Sequence, residues 1–338
     1  MNKVINTGLL AYGMSGKVFH APFVSAHQGF NLYAVVERHT KQAKSDYPEV
    51  ISYDNIDALL DDENISLVII NTPNYTHFEY AKMALLKGKD ILVEKPFTAT
   101  VAEAEELFEL AIQQKKTVLF YQNRRWDSDF ISVKEVLSGG KLGKINEITV
   151  RYDRYRAFIG PKSFKEEPVP ASGLLFDLGP HLLDQVISVF GKPLKYTKTT
   201  SNNRKNTKVD DYFHIHLQYE NGLQVYVISN MLVAGNQPAF VIHGETGTFS
   251  KQRADVQEEQ LLKGITPLDP HYGKELAENY GLLTLADKEG KLESQHIAAR
   301  PGNYLQLFDA VYKTLVLEQP YPITQEQIVL QLKIITDL

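Results

Sequence analysis

Short apolar runs, many of them β-branched, recur along the first third of the chain and are separated by segments in which apolar residues follow helical spacing. Six such runs predict buried strands at residues 3–10, 32–36, 47–53, 66–70, 91–93 and 117–121. Consecutive apolar positions are typical of strands that are covered on both faces of a parallel sheet. The alternation of strands with helices therefore predicts an α/β fold with a doubly wound parallel sheet over residues 1–122.

The pattern changes after about residue 125, where apolar and polar positions alternate. Alternating runs occur at residues 145–153, 212–219, 223–229 and 239–243. Such alternation is typical of an antiparallel sheet with one covered face. Residues 304–317 and 325–336 have helical spacing, whereas residues 251–290 predict a long, weakly patterned insertion. These features predict a second α/β domain over residues 123–338, with a mostly antiparallel sheet.

Two charged residues and a proline directly follow the predicted strand 91–93. Pro96 cannot donate to a sheet ladder, so the strand must end near Lys95. Ligands of open parallel sheets bind outside the carboxyl ends of the strands, and Glu94 and Lys95 would therefore stand where a ligand binds. Taken alone, the pair is better explained as a salt bridge at a strand end.

A degenerate glycine-rich loop joins the first predicted strand to a helix that begins near Lys17. As a G-x-G-x-x-G motif it has Ala11 in the first glycine position, while Gly13 allows the backbone to approach a pyrophosphate and Gly16 allows the helix to pack closely on the strand. The strand before the loop and the helix after it are the context that a dinucleotide site requires. The candidate cofactor residues of this loop are Gly8, Ala11, Tyr12, Gly13, Met14, Ser15 and Gly16.

An acidic residue follows the second predicted strand. Glu37 lies twenty-one residues after Gly16, and its carboxylate can accept hydrogen bonds from both adenosine ribose hydroxyls. It would repel a 2′-phosphate, which slightly favours NAD. Arg38 can pair with that phosphate, which keeps NADP open, and both residues can equally belong to a solvated turn. Further candidates for contact with the cofactor, at the same edge of the sheet, are Thr72, Pro73, Asn74, His77, Glu94, Lys95 and Asn123.

A second polar cluster lies between the alternating strands. If helical spacing holds from Asp177 onward, with Pro180 in the first turn, Asp177, His181 and Asp184 share one face of a helix. An imidazole flanked by carboxylates can accept a proton, form part of a metal site, or belong to a capping and packing arrangement. A third and a fourth metal ligand are not apparent nearby, and we predict no metal.

Basic and aromatic residues near this cluster are candidates for the substrate site. Arg124, Trp126 and Tyr155 can line a pocket for a polyhydroxylated or acidic substrate, or form a solvated face. His214 and His216 alternate on one strand and share a face, which can in principle chelate a metal. We interpret these two histidines as half-buried residues of a sheet.

Composition excludes several classes of protein. A formal net charge of −5 argues against a general nucleic-acid-binding protein. No apolar run approaches the length that spans a membrane, and the first residues lack the apolar core of a signal peptide. The chain has no cysteine, which excludes disulfides and thiolate chemistry. We expect a cytoplasmic enzyme with a small-molecule substrate and with neither a membrane nor a nucleic-acid partner.

With these residues in hand, the sequence resembles the Gfo/Idh/MocA oxidoreductases. The elements that carry the resemblance are residues 8–16, 71–74 with His77, 94–96 and 177–181, and the match runs across nearly the whole chain. Within the family, residues 12–22, 123–130 and 212–214 are similar to the scyllo-inositol dehydrogenase branch.

The resemblance implies a Rossmann domain followed by an α/β domain with an open, largely antiparallel sheet. That sheet commonly packs against another subunit, and a homodimer or homotetramer is the implied assembly. Lys95, Asp177 and His181 are the implied catalytic residues, and they are also candidates for binding the substrate. The implied cofactor is NAD or NADP. Ala11 departs from the family's first loop glycine, and NADP use in this branch leaves the preference that Glu37 indicates open.

The mechanism that fits these residues transfers a hydride from a secondary alcohol of a sugar or cyclic polyol to nicotinamide. His181 accepts the hydroxyl proton, Asp177 orients the imidazole, and Lys95 stabilises the negative charge on the reacting oxygen. The alternatives are an NAD-dependent glycosidase of the same fold, an NAD(P)-sensing regulator without catalysis, and a metal-dependent lyase or hydrolase that uses Asp177, His181 and Asp184.

Overall fold

The computed structural model of the chain describes residues 3–159 and 166–337. The chain divides into two compact units, and each unit is assembled from three separate stretches of sequence. The first unit comprises Met1–Asn123, Glu258–Tyr272 and Asn303–Val329, and the second comprises Arg124–Gln257, Gly273–Gly302 and Leu330–Leu338. The simpler division into a dinucleotide-binding domain, residues 1–122, and a substrate-binding and oligomerisation domain, residues 123–338, stays a prediction.

A parallel sheet forms the centre of the first unit. Its six strands are β1 (Ile5–Leu9), β2 (Phe30–Val36), β3 (Ile51–Tyr53), β4 (Leu67–Ile70), β5 (Asp90–Glu94) and β6 (Val118–Tyr121). They are ordered β3-β2-β1-β4-β5-β6, and every neighbouring pair is parallel. Strand order reverses direction between β1 and β4, which is where ligands bind in open sheets of this kind. The predicted doubly wound parallel sheet is confirmed.

Helices and short helical turns connect these strands. They are a π-helical turn (Gly16–His20), α1 (Ala21–Ala26), α2 (Ala43–Asp46), α3 (Ile56–Leu60), α4 (His77–Leu86) and α5 (Val101–Gln114). Thr100 and Glu103 have the sequence spacing of a capping box, and this box opens α5: the Thr100 hydroxyl accepts a hydrogen bond from the Glu103 amide at 3.2 Å, and the Glu103 carboxylate accepts one from the Thr100 amide at 3.1 Å. These reciprocal bonds explain why the helix begins at Val101.

A second sheet of eight strands belongs to the second unit. The strands are β7 (Ile145–Arg151), β8 (Lys195–Ser201), β9 (Tyr212–Gln218), β10 (Gln224–Asn230), β11 (Phe240–Gly244), β12 (Gly247–Lys251), β13 (Gly281–Ala286) and β14 (Leu292–Ile297). Their order is β14-β13-β12-β11-β7-β10-β9-β8, in which β7 and β10 run parallel and the other neighbours run antiparallel. The predicted mostly antiparallel sheet is confirmed.

After β6, the described residues contain the α-helices α6 (Ser128–Ser138), α7 (Gly173–Phe190), α8 (Val256–Leu262), α9 (Leu305–Leu317) and α10 (Gln325–Thr336). In the second unit, alternate residues of β9 and β10 are buried, and they share a core with the apolar face of α7. This packing explains the alternating pattern, because only one face of the sheet is covered. No helix within the described residues is long and apolar enough to cross a membrane.

Two predictions about the part of the chain after residue 122 are wrong. Residues 251–290 are not a weakly patterned insertion, because they contain α8 and the sheet strand β13. Pro180 does not lie in a first helical turn, since α7 begins seven residues earlier, at Gly173. A proline inside a helix removes one backbone hydrogen bond. Here α7 continues through it, packed in the core by Leu178, Leu182 and Leu183.

Candidate functional site

The glycine-rich loop after β1 is held by a side chain from the end of β4. The Ala11 amide donates to Asn71 Oδ1 at 3.0 Å, and Asn71 Nδ2 donates to the Ala11 carbonyl at 2.8 Å. A Cβ atom on Gly16 would lie 2.2 Å from that same carbonyl oxygen, so only glycine fits there. The loop therefore forms with alanine in place of the first motif glycine. Gly8 lies before the loop, within β1, and packs against Leu59.

The outer part of the loop faces open space. A Cβ atom on Gly13 would meet no other atom within 4 Å, and Met14 beside it is exposed. The Gly13 carbonyl accepts a hydrogen bond from the Lys17 amide at 2.9 Å, which starts the helical turn after the loop. A tight turn that leaves bare backbone accessible fits the pyrophosphate of a dinucleotide.

Tyr12 joins the loop to α2. Its hydroxyl donates to Asp46 Oδ2 at 2.9 Å, and Lys17 Nζ lies 2.8 Å from the same oxygen. Burial and the hydrogen bond to Asp46 raise the pKa of Tyr12 far above its usual value. The bonds from Lys17 and Tyr12 hold the pKa of Asp46 below its usual value. The proton of the Tyr12 hydroxyl is thus used in the hydrogen bond to Asp46.

The Glu37 carboxylate accepts hydrogen bonds from the chain segment that follows it. Its Oε1 accepts from the amides of Gln42, at 2.7 Å, and Ala43, at 3.1 Å, and its Oε2 accepts from the Ser52 hydroxyl at 2.7 Å. The side chain is buried, whereas Arg38 beside it is exposed. The carboxylate predicted to bind a ribose therefore accepts hydrogen bonds at the start of α2, and the Arg38 guanidinium beside it is exposed to solvent.

His77 links two chain segments at the carboxyl edge of the sheet. Its Nδ1 lies 2.7 Å from the carbonyl oxygen of Pro96, and its Nε2 lies 2.9 Å from that of Thr72. The ring is fully buried, and burial lowers the pKa of His77. Both ring nitrogens thus contact backbone. Pro73 and Asn74 lie in the turn between Thr72 and His77.

Glu94 lies at the end of β5, where two residues of the glycine-loop region reach it. The Ser15 hydroxyl donates to Glu94 Oε1 at 2.7 Å, and His20 Nε2 lies 2.8 Å from the same atom. Burial alone would raise the pKa of Glu94, but the hydrogen bonds from His20 and Ser15 outweigh it and lower the pKa. Lys95 follows directly and is half-buried. The structure therefore brings together Ser15 and Glu94, two of the predicted cofactor residues.

A short 3₁₀ turn, Asn123–Trp126, follows β6. Asn123 is buried, and Trp126 is half-buried. The Arg124 guanidinium lies 3.0 Å from Asp127 Oδ2 and 2.8 Å from Asp255 Oδ2. Arg124 is therefore braced by two carboxylates.

Helix α7 carries the predicted catalytic pair of the second unit. Its first turn is held by Asp210, whose Oδ2 accepts from the Leu175 amide at 2.6 Å. Asp177 and His181 lie one turn apart on this helix; Asp177 Oδ2 is 3.4 Å from Arg154, and His181 is buried. A regular helix through both residues places them on one face, as predicted.

Asp184, the third predicted member of that face, accepts hydrogen bonds from two buried side chains. Arg125 donates to both of its oxygens, at 2.7 and 2.8 Å, and Gln331 Nε2 donates at 3.0 Å. These bonds occupy the carboxylate. Within the described residues there is no cluster of three or more His, Asp or Glu side chains that could hold a metal ion. His214 and His216 instead stack on Tyr226, at ring distances of 5.7 and 4.7 Å.

A polar cavity of about 260 Å³ lies in the second unit beside the pair formed by Arg154 and Asp177. Its wall includes Arg151, Tyr152, Arg154, Tyr155, Asn236 and Arg253. Tyr155 is mostly exposed, and the guanidinium of Arg154 lies over the Tyr152 ring at 5.1 Å. Guanidinium, amide and hydroxyl groups suit a ligand with many hydroxyls.

Comparison with known proteins identifies the family. Residues 5–122 match the model of an oxidoreductase family with an NAD-binding Rossmann fold, and residues 130–250 match the GFO/IDH/MocA C-terminal domain. The chain belongs to the Gfo/Idh/MocA oxidoreductases. Its cofactor is accordingly NAD or NADP, and the loop geometry at Gly13 and Gly16 fits either dinucleotide.

Several members of this family are similar over nearly the whole chain. An uncharacterised oxidoreductase of Schizosaccharomyces pombe is 38% identical over 343 residues, covering 96% of this chain and 93% of the relative. The scyllo-inositol 2-dehydrogenase (NADP(+)) IolW of Bacillus subtilis is 33% identical over 323 residues, covering 96% and 89%. The solved structure of the Bacillus subtilis oxidoreductase yvaA superposes with a TM-score of 0.94 at 32% identity, covering 99% and 95%.

Two residues of the site, Asn71 and His20, were not among the predicted cofactor or catalytic residues, although His20 follows the glycine-rich loop, where it can touch a cofactor or cap a helix. Asn71 fixes the loop through Ala11, and its position directly after the apolar strand β4 was the available signal. His20 reaches Glu94 from the helical turn, and nothing in its spacing to residue 94 indicates this contact.

Proposed function

We propose that the protein is an NAD(P)-dependent dehydrogenase that acts on a secondary alcohol of a sugar or cyclic polyol. The observation that carries the proposal is the whole-length similarity to an enzyme named for scyllo-inositol oxidation. The family supplies the oxidoreductase class, and the polar cavity beside Asp177 suits a polyhydroxylated substrate. The oxidised dinucleotide, when bound, supplies the hydride acceptor.

Three residues are proposed to act on the substrate. His181 accepts the proton of the reacting hydroxyl, since a neutral imidazole is a base near neutral pH. Asp177, one helical turn away, stabilises the imidazolium that results. Lys95 donates a hydrogen bond to the reacting oxygen and offsets its developing negative charge. Glu94 stays ionised, because its pKa is lowered, and we assign it to positioning and not to proton transfer.

The remaining predicted residues are proposed to bind the ligands. Tyr155 and Arg154 line the cavity and offer a hydroxyl and a guanidinium to the substrate. Arg124 and Trp126 are also proposed to bind the substrate. Because Arg124 is held by two carboxylates, its role is to present a fixed hydrogen-bond donor.

The assembly is proposed to be a homodimer or homotetramer in the cytoplasm. One face of the second sheet is only half-buried, and it carries the stacked rings of His214, His216 and Tyr226. Aromatic residues are enriched at protein–protein interfaces, so this half-buried face suits contact with another subunit. Light scattering coupled to size-exclusion chromatography measures the mass of the assembly, and a monomeric mass contradicts the proposal.

A substrate panel tests the function. Inositols, aldoses, sugar acids and glycosides are each offered with NAD⁺ and with NADP⁺, and reduced nicotinamide is followed by absorbance. Net formation of reduced nicotinamide with a polyol or sugar supports the dehydrogenase. Release of sugar from a glycoside without net reduction indicates the glycosidase, and binding of dinucleotide with no turnover of any compound indicates the regulator.

Substitution of the proposed catalytic residues tests the mechanism. Lys95→Ala and His181→Ala should each lower turnover by a factor of about 10²–10⁴, with dinucleotide binding retained. Lys82→Ala and His296→Ala are matched controls, because both side chains are solvent-accessible on surface elements, and they should keep the wild-type rate. Near-normal turnover in both test variants shows that the roles are wrong.

A further inference from the structure

Three side chains from three chain segments meet at a single oxygen atom in the first unit. Ser15 comes from the glycine-rich loop, His20 from the helical turn after it, and Glu94 from the end of β5. The Ser15 hydroxyl lies 2.7 Å and His20 Nε2 lies 2.8 Å from Glu94 Oε1. The loop is therefore attached to a strand that is not its neighbour in the sheet, since β4 lies between β1 and β5.

The His20 ring has one polar contact. Its side chain is fully buried, and its Nδ1 has no hydrogen-bond partner among the described residues. The tautomer with the proton on Nε2 satisfies the contact with the ionised Glu94, and it leaves only an acceptor lone pair on Nδ1. A buried imidazole with this arrangement is a hydrogen-bond donor to Glu94.

Aromatic packing fixes the direction of that donor. The His20 and Tyr121 rings lie 4.4 Å apart, and the Tyr121 hydroxyl donates to the Phe19 carbonyl at 2.8 Å. The Phe308 ring also packs against the imidazole, edge-on, with the ring centroids 6.4 Å apart. The ring cannot turn away from Glu94 without displacing these neighbours.

The second oxygen of Glu94 has a different environment. None of the described residues donates a hydrogen bond to Glu94 Oε2, and the side chain keeps 14% of its exposure. It stands at the carboxyl end of β5, the edge at which dinucleotides bind. An ionised oxygen at this edge can accept a hydrogen bond from a hydroxyl group of the bound dinucleotide.

We infer that His20 is a positioning residue for the dinucleotide. Together with Ser15 it holds Glu94 Oε1, so that Oε2 is presented to a hydroxyl group of the cofactor and the glycine-rich loop stays at a fixed distance from β5. His20 touches neither cofactor nor substrate in this role and acts through Glu94. The inference rests on the proposed NAD(P)-dependent function.

Titration calorimetry with NAD⁺ and with NADP⁺ tests the inference on the full chain, with the dissociation constant as the readout. His20→Leu fills the same space without a donor and should weaken binding about tenfold, the worth of one hydrogen bond to a charged group. His20→Gln can place an amide N–H near the position of Nε2 and should restore most of the affinity. A purely structural role would not be rescued in this way.

His27→Leu is the matched control, because His27 packs against aromatic rings in the same unit and lies outside this cluster. It should bind as the wild type does. Ser15→Ala should weaken binding as His20→Leu does, and in a Glu94→Gln background it should have little further effect. This second variant keeps the inference testable if His20→Leu does not fold.

The outcomes separate the two proposals. If the wild type binds neither dinucleotide, the proposed function fails and the inference fails with it. If the wild type binds but His20→Leu binds equally well, or His20→Gln is as weak as His20→Leu, only the role of His20 is overturned.

Discussion

Two hydrogen bonds, of 2.7 and 2.8 Å, join the guanidinium of Arg125 to the carboxylate of Asp184. Gln331 completes the carboxylate's environment with a third bond. Removing one partner of a buried ion pair is strongly destabilising. Asp184 therefore stabilises the second unit, although the sequence alone makes it a candidate for chemistry.

We expect Asp184→Asn to lower the free energy of unfolding by about 3–5 kcal/mol, because the buried Arg125 guanidinium loses the negative charge of the carboxylate to which it donates two hydrogen bonds. Urea denaturation measures the loss. The exposed pair formed by Lys291 and Glu293 is the control, and Glu293→Gln should leave the unfolding curve unchanged. Loss of turnover without loss of stability would instead assign Asp184 to catalysis.

The two loop glycines should respond differently to alanine. A Cβ on Gly16 meets the Ala11 carbonyl at 2.2 Å, so Gly16→Ala should cost about 1–3 kcal/mol of stability and weaken dinucleotide binding. A Cβ on Gly13 meets nothing, so Gly13→Ala should keep stability and weaken binding only. Thermal unfolding and titration calorimetry separate the two effects. Equal stability losses would show that the loop differs from the one described.

Stability should depend on pH through His77. Burial lowers the pKa of His77 in the folded protein below its usual value of 6.5, so the unfolded chain takes up a proton first as the pH falls. The contribution of His77 to the stability of the folded protein is complete above about pH 6.5, and it is lost as the pH falls towards the lowered pKa. Urea denaturation between about pH 7.5 and about pH 5.5, a range on both sides of the usual histidine pKa, measures the free energy of unfolding. This free energy should depend less on pH in His77→Leu than in the wild type. Identical dependence in both proteins contradicts this role.

Dinucleotide choice should depend on Arg38 more than on Glu37. The Glu37 carboxylate is held by two amides and a hydroxyl, whereas the Arg38 guanidinium shortly after β2 is exposed and can pair with a 2′-phosphate. Arg38→Gln should raise the dissociation constant for NADP⁺ about tenfold or more and change that for NAD⁺ little. Arg300→Gln, an exposed arginine of the other unit, is the control. If the wild type binds NAD⁺ but not NADP⁺, Glu37 and not Arg38 determines the choice, through hydrogen bonds to the ribose hydroxyls.

Local sequence signals predicted much of the first unit. Apolar runs located its six strands, Pro96 ended β5 after Glu94, and the pair Thr100 and Glu103 located the start of α5. These features depend on neighbours along the chain, and the sequence records them directly.

Features that depend on distant residues were not predicted. Strand β14 is almost entirely exposed, so it has no apolar alternation and is held by pairing with β13 alone. Strand β8, at the other edge of the sheet, is polar for the same reason. The hydrogen-bond partners of Glu37 and Asp184 depend on where separate chain segments meet, and the order of residues along the chain does not record this.

Helix α9 returns to the first unit, where Phe308 stacks on Phe23 with ring centroids 5.6 Å apart. During synthesis on the ribosome, more than half of the chain must therefore be made after Phe23 before Phe308 can pack against it. The amino-terminal half would carry an exposed aromatic patch throughout that interval, the state in which growing chains engage chaperones. A gene fragment that stops after β6 would make that transient exposure permanent.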